Sequence, residues 1–266
     1  MLSNISIGQY FPSDSWVHKL DPRTKILITM VFVIAIFMAK SLASYCLVIA
    51  FVVLSIILSK LPLKLLWGAI KPLWIIIVFT MGIHIFTTPG IPIVTYSFIN
   101  ITEEGVTMGA QMGVRLLCLI LFSSLLTFTT SPIRLTDGVE SLLKPFRRIG
   151  VPAHELAMMM TIALRFIPTL LEETDRIMKA QTSRGADFES GNILARIKNM
   201  VPLLVPLFIS AFRRADDLAV AMEARCYRGG EGRTRMKALA YGTQDLVATG
   251  FVAILVLALV LMYVIL

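Results

Sequence analysis

Apolar residues fill long runs of this chain, and the runs break at a few charged or turn-forming points. They cover 26–39, 42–58, 73–88, 108–130 and 244–266. A helix that crosses a bilayer needs about 20 apolar residues, so the first run is short. Pro22 suits a first helical turn, and that helix is expected to begin there. Lys40-Ser41 reads as a tight break, and Lys60, Lys64 and Lys71 mark the next loop. Residues 89–107 hold two prolines, two glycines, Glu103 and Glu104, but no Lys or Arg. They read as a loop, with or without a short re-entrant or interfacial piece. The pattern predicts an all-α integral membrane protein with about five transmembrane helices.

Residues 131–240 depart from this pattern. They contain no uninterrupted apolar run of span length, and they carry most of the charged residues. A short amphipathic helix is expected over 132–149. Two long helices follow, joined by a linker at Phe188, Glu189, Ser190 and Gly191. The division expected is 1–130 for the first four spans, 131–240 for a cytoplasmic region with two long helices, and 241–266 for the last span.

The two long helices share a layout. One reads LRFIPTLLEETDRIMKAQTSRGAD and closes on Ser183-Arg184-Gly185; the other reads LFISAFRRADDLAVAMEARCYRGG and closes on Ala224-Arg225-Cys226. Aligning Arg184 with Arg225 puts Asp175 on Asp216 and Ala180 on Ala221. Each helix has an apolar first half, prolines (Pro168; Pro202 and Pro206) expected to kink it, and a charged second half. Glu172 with Arg176 and Asp175 with Lys179 are i,i+4 pairs in the favourable order. Glu172-Glu173 and Asp216-Asp217 are sequence neighbours that point apart on a helix, and they read as a solvated charged face. An arginine at a helix C-terminus is stabilised by the helix dipole, and small neighbours let another backbone approach. Such an arginine suits an acidic groove, where its planar fork pairs with a carboxylate. Two such tips suggest docking at two points. Met158, Met159 and Met160 read either as plain apolar filling or as an adaptable contact surface.

Charge sets the expected orientation. Lys and Arg number 3 in the N-terminal segment, 3 in 60–71 and 17 in 131–240, against Lys40 alone on the other side. By the positive-inside rule the N-terminus is cytoplasmic and the C-terminus outside. Arg115 lies inside the fourth run, as an interhelical or snorkelling arginine or as a charge on a substrate path. Composition agrees with a membrane protein: 56% hydrophobic and 16% charged residues, with mean hydropathy +0.79. The net charge of +8 fits topology better than nucleic-acid binding, because the basic residues cluster. The three cysteines form no CxxC or Cys/His spacing, so neither a disulfide framework nor a zinc site is supported. The first 25 residues lack the basic-then-apolar order of a cleaved signal peptide. There is no GxxxxGK[ST], HExxH, GxSxG or GxGxxG, which argues against nucleotide binding through a phosphate loop and against the usual hydrolases.

Several stretches resemble one family. Leu20-Asp21-Pro22-Arg23-Thr24-Lys25 leads into the first span, Arg165-Phe166-Ile167-Pro168 precedes Glu172-Glu173, and Ala180-Gln181 stands before Arg184-Gly185, with Ala224-Arg225 closing the second helix. Together they resemble the transmembrane coupling (T) component of energy-coupling factor transporters, along the whole chain. The resemblance implies a non-catalytic subunit of an ABC-type importer for vitamins or other micronutrients, in the plasma membrane of a prokaryote. Its implied partners are two ATPase subunits, a substrate-binding S component and the bilayer, but no nucleic acid. ATP would sit on the ATPases, with no cofactor or metal on this chain. Arg184 and Arg225 would be the docking arginines, flanked by Ser183, Gly185, Ala224 and Cys226. Met158, Met159, Met160, Leu164, Phe208 and Phe212 would face the S component. The family's triplet is Ala-Arg-Gly; here Ser183 and Cys226 depart from it. Cysteine reaches the left-handed conformation less cheaply than glycine, so the two tips are expected to end differently. Two other readings stay open: a self-contained transporter with a path near Arg115, His84 and 89–107, and an ordinary ABC importer permease.

Overall fold

The computed structural model describes residues 10–96, 99–186, 188, 192–229 and 238–265. It divides into two compact units, one holding 8–138 with 239–266 and the other 139–238.

The first unit is built from helices α1 (Trp16–Lys19), α2 (Pro22–Ala35), α3 (Leu42–Ser59), α4 (Leu63–Ile70), α5 (Trp74–Thr87), α6 (Glu103–Thr129) and α10 (Thr243–Ile265). Helix α2 is extended by a 3-10 turn, Ile36–Met38. Among the described residues, α3, α6, α10 and the later helix α8 (Ala153–Ser183) are long and apolar enough to cross a membrane; α4 and α5, bent by 56°, together make a further broken span or re-entrant pair. Helix α8 meets that standard through its apolar first half, whereas its second half carries Glu172, Glu173, Asp175, Arg176 and Lys179. Two expectations need correction here. Residues 60–71 are not simply a loop: Pro62 starts α4, which buries Leu66. Residues 89–107 contain a two-stranded antiparallel hairpin, β1 (Pro92–Tyr96) with β2 (Ile99–Thr102). Helix α6 begins at Glu103, not Met108, because the Thr102 hydroxyl accepts the Gly105 N–H at 3.0 Å, an N-cap that also places two acids in the first turn. The expected linker at 188–191 lies outside the described residues apart from Phe188.

The core of this unit joins α2, α3, α6 and α10. Phe32, Val48, Val52, Phe122, Leu125, Leu255 and Leu259 are buried together, and the ring centroids of Phe32 and Phe122 lie 4.1 Å apart. Against α5, helix α6 presents glycines four residues apart. A Cβ at Gly105 would meet the Ile85 carbonyl oxygen at 2.9 Å, and one at Gly109 the Met81 carbonyl oxygen at 3.0 Å. This is the small-residue packing through which helices approach closely in a membrane.

The LDPRTK stretch ties the ends of these helices together. Asp21 caps α2 by accepting the Arg23 N–H at 2.9 Å. The Asp21 N–H donates to Asp245 at the start of α10 at 2.8 Å, and Asp245 also accepts the Gly242 N–H at 2.8 Å. Lys25 is buried and donates to the Thr129 carbonyl at 2.9 Å and to the Thr130 hydroxyl at 3.2 Å, where α6 ends. His18 lies 2.9 Å from the Phe11 carbonyl through Nε2 and 2.6 Å from the Ser15 hydroxyl through Nδ1. Burial holds its pKa below the ordinary imidazole value, so the ring is neutral at pH 7 and Nδ1 accepts from Ser15.

Asp245→Ala should therefore strand two backbone donors. A loss of about 2–4 kcal/mol is expected, since hydrogen bonds to charged groups contribute about 1.5–3 kcal/mol each. The thermal midpoint in detergent should fall by several degrees, and Asp245→Asn, which keeps one acceptor oxygen, should fall by less.

Candidate docking tips and lever helices

The second unit contains the end of α7 (Pro132–Leu143), a 3-10 turn at Lys144–Ile149, α8 (Ala153–Ser183) and α9 (Ile193–Ala224). Helix α8 continues across Pro168, and α9 across Pro202 and Pro206.

The two long helices pack antiparallel, as two contacts show. Near the middle, Glu173 of α8 accepts the Ser210 hydroxyl at 2.6 Å on one oxygen and the Arg214 guanidinium at 2.7 Å on the other. At one end, the Tyr227 hydroxyl, just past α9, lies 3.3 Å from His154 at the start of α8. His154 in turn lies 3.1 Å from Glu140 of α7. The end of α9 therefore lies beside the start of α8, and the two arginine tips stand at opposite ends of the pair. Arg184 lies 11 residues beyond Glu173 and Arg225 11 residues beyond Arg214, which at 1.5 Å per residue in opposite directions separates the tips by roughly 35 Å. Glu173 is thus not part of a merely solvated face: it bridges the two long helices, with the side chains of Glu173 and Arg214 24% and 37% exposed. The Asp175–Lys179 pair forms as expected, at 2.6 Å along the exposed face of α8.

The tips themselves are alike, which corrects the expectation that they end differently. In α8, the Gly185 N–H donates to the Thr182 carbonyl at 2.9 Å and the Ala186 N–H to the Gln181 carbonyl at 3.0 Å. In α9, the Cys226 N–H donates to the Glu223 carbonyl at 2.8 Å and the Tyr227 N–H to the Met222 carbonyl at 3.0 Å. Both are the paired 6→1 and 5→2 closure that satisfies a helix's last carbonyls around a left-handed residue. Gly185 has φ 88 and Cys226 has φ 56. Cysteine adopts the left-handed region because the two closing bonds hold it there, against a backbone preference of roughly 1–2 kcal/mol. Arg184 and Arg225 occupy the same cap position, with φ,ψ of −90,7 and −89,11. Ser183, Arg184, Gly185, Ala224, Arg225 and Cys226 are all exposed. Among the described residues neither arginine is held in an ion pair.

The apolar candidates separate into two places. Met159 and Met160 are exposed, and Met158 and Leu164 half-buried, on the arm of α8 that leads to the Arg225 tip. Met159 is 14 residues from Glu173, ~20 Å along the helix. Phe212 lies at the crossing itself and Phe208 one turn beyond it towards the Arg184 tip, 68% and 60% exposed. An antiparallel pair does not bring the methionines and phenylalanines side by side.

The residues of the alternative substrate path are also apart. Arg115 donates to the Ala39 carbonyl at 3.1 Å and the Tyr45 hydroxyl at 2.8 Å, and its guanidinium lies over the Phe37 ring at 5.3 Å. It thus closes the carbonyl left open where α2 and its 3-10 extension end, and Gln111 does the same for Lys40 at 3.3 Å. The backbone of His84 faces Gly105, ten residues from Arg115 on α6, or ~15 Å. No group of three or more potential metal ligands exists among the described residues.

Comparisons with known proteins point one way. A family model described as CbiQ, cobalt transport protein, matches residues 13–236. A protein of Acidaminococcus fermentans named energy-coupling factor transporter transmembrane protein EcfT is 65% identical over 245 residues, 92% of this chain and 91% of its own length. Proteins with the same name are 55% identical in Clostridium kluyveri, over 94% of this chain and 93% of theirs, and 47% identical in Bacillus subtilis, over 99% of both chains.

The two tips should respond oppositely to substitution at the left-handed residue. Gly185→Ala should weaken the end of α8 by about 1 kcal/mol, whereas Cys226→Gly should leave the end of α9 as stable or firmer. Amide exchange in the last turns should show it: about fivefold faster at 181–186 in the first variant, and unchanged or slower at 222–227 in the second.

Proposed function

We infer the role of this protein from one premise: the chain belongs to the EcfT family, the transmembrane coupling component of energy-coupling factor transporters. It is a multi-pass membrane protein and a transport subunit. Arg184 and Arg225 dock in acidic grooves of two ATPase subunits, one at each end of the antiparallel lever pair. The observation that supports this most is the duplicated tip, the same backbone closure and the same arginine position at opposite ends of the antiparallel pair.

ATP binding on the partners draws the ATPases together and moves the tips relative to one another. The levers, bridged at Glu173 with Ser210 and Arg214, turn that movement into a change at their exposed apolar stretches. The methionines on the α8 arm and Phe208 and Phe212 near the crossing form two separate contacts for a substrate-binding S component, which reorients to release its cargo. The chain itself carries no catalytic group and no nucleotide. The cargo is a vitamin or other micronutrient, recognised on the S component. The membrane is the prokaryotic plasma membrane, with the N-terminus in the cytoplasm and the C-terminus outside.

Removing one docking arginine leaves its acidic partners buried and unpaired, which costs on the order of 2–5 kcal/mol. Arg184→Ala or Arg225→Ala alone should reduce ATP-dependent uptake in whole cells, since the other tip still holds. The double variant should abolish uptake while the protein still reaches the membrane. Full uptake by the double variant would refute the docking role.

A further inference from the structure

We propose that the turn at Lys144–Ile149 binds anionic phospholipid, its cations taking headgroup phosphates and its apolar side chains entering the acyl boundary. The turn reads Lys-Pro-Phe-Arg-Arg-Ile and is a 3-10 helix closed by Gly150 at φ 92. In a 3-10 helix the side chains at i and i+3 eclipse. Lys144 therefore shares one edge with Arg147, and Phe146 shares another with Ile149; Arg148 follows Pro145 between them. The sequence thus sorts itself into a cationic edge and an apolar edge on a single short turn.

Both edges face outward. Residues 144–150 are all exposed, with Phe146 at 50% and Ile149 at 80%. Lys144, Arg147 and Arg148, with Ser141 and Pro145, line an open concavity of about 660 Å³, room enough for a phosphate headgroup. The turn itself contains no acid.

Charge and composition commit this surface to a bilayer. Exposed aromatic and aliphatic groups interleaved with cations are what an interfacial segment needs, since apolar burial and attraction to anionic lipid then add. Lys144 follows Thr129, the last residue of membrane-crossing α6, by 15 residues of chain, within the reach where Lys and Arg respond to the membrane surface. The inference rests on this turn alone and does not depend on the docking role of the arginine tips.

The test uses the full-length chain reconstituted in phosphatidylcholine vesicles that contain spin-labelled phosphatidylglycerol or spin-labelled phosphatidylcholine. The protein-restricted fraction of each lipid gives the preference for the anionic headgroup. A cation near an anionic surface contributes about fivefold, so Lys144→Gln with Arg147→Gln and Arg148→Gln should lower the preference by about that factor or more. The charge-matched control, Arg176→Gln with Lys179→Gln and Arg213→Gln on exposed positions of the charged halves of α8 and α9, should change it less than about twofold. An unchanged preference in the first triple variant, or an equal loss in both, would overturn the proposal. A second variant leaves all cations in place: a spin label on Ile149→Cys, with the three native cysteines replaced by alanine. Its label should be accessible to oxygen and shielded from a water-soluble nickel complex; the reverse accessibility would mean that the turn faces water or a protein partner instead.

Discussion

A single carboxylate decides how the two long helices meet. Glu173 accepts a hydroxyl on one oxygen and a guanidinium on the other, both from α9, and this sets the register of the pair, whose antiparallel sense is then given by the Tyr227–His154 contact at one end. Much else in this unit follows from that sense. The arginine tips fall at opposite ends, and the methionines of α8 and the phenylalanines of α9 fall at different distances from the crossing. With both partners partly exposed, the ion pair by itself contributes little to stability, about 1 kcal/mol or less. Its importance is geometric: the bridge sets which positions along two mostly exposed helices face one another.

The membrane unit depends on a different device. Three helix ends and a short helix converge on the LDPRTK stretch, where Asp21 and Lys25, together with Asp245, satisfy backbone groups that helix termini leave open. Asp21 caps α2, Asp245 receives two backbone N–H groups, and Lys25 closes the carbonyl end of α6. At the far end of α2, Arg115 takes the same part for Ala39. Four charged residues of this apolar unit thus serve helix termini, consistent with the high cost of unsatisfied polar groups in lipid.

Hydrophobic runs made the spans at 42–58, 73–88, 108–130 and 244–266 legible, whereas the run at 26–39 gives only the 14-residue α2 and the apolar first half of α8 was not read as a span; paired triplets made the tips legible, because they too are local patterns. The misreadings were also of local origin. Lysines at 60, 64 and 71 read as a loop, but Lys64 falls within a short helix anchored by Leu66. Residues 89–107 have the composition of a loop, yet their strands pair across the turn, and Thr102 starts α6 early. Cys226 was expected to avoid a left-handed conformation on intrinsic preference; its two closing hydrogen bonds override that preference. The bridge at Glu173 and the Tyr227–His154–Glu140 series join residues 14 to 73 apart. No spacing in one sequence announces such pairs.

The central claim is that one chain holds two ATPases, one per tip. Counting ATPase subunits bound to the purified chain by native mass measurement tests it most directly. The account predicts two on the unaltered protein, one on Arg184→Ala, one on Arg225→Ala and none on the double variant. Two ATPases retained on the double variant, or both lost from either single variant, would contradict it.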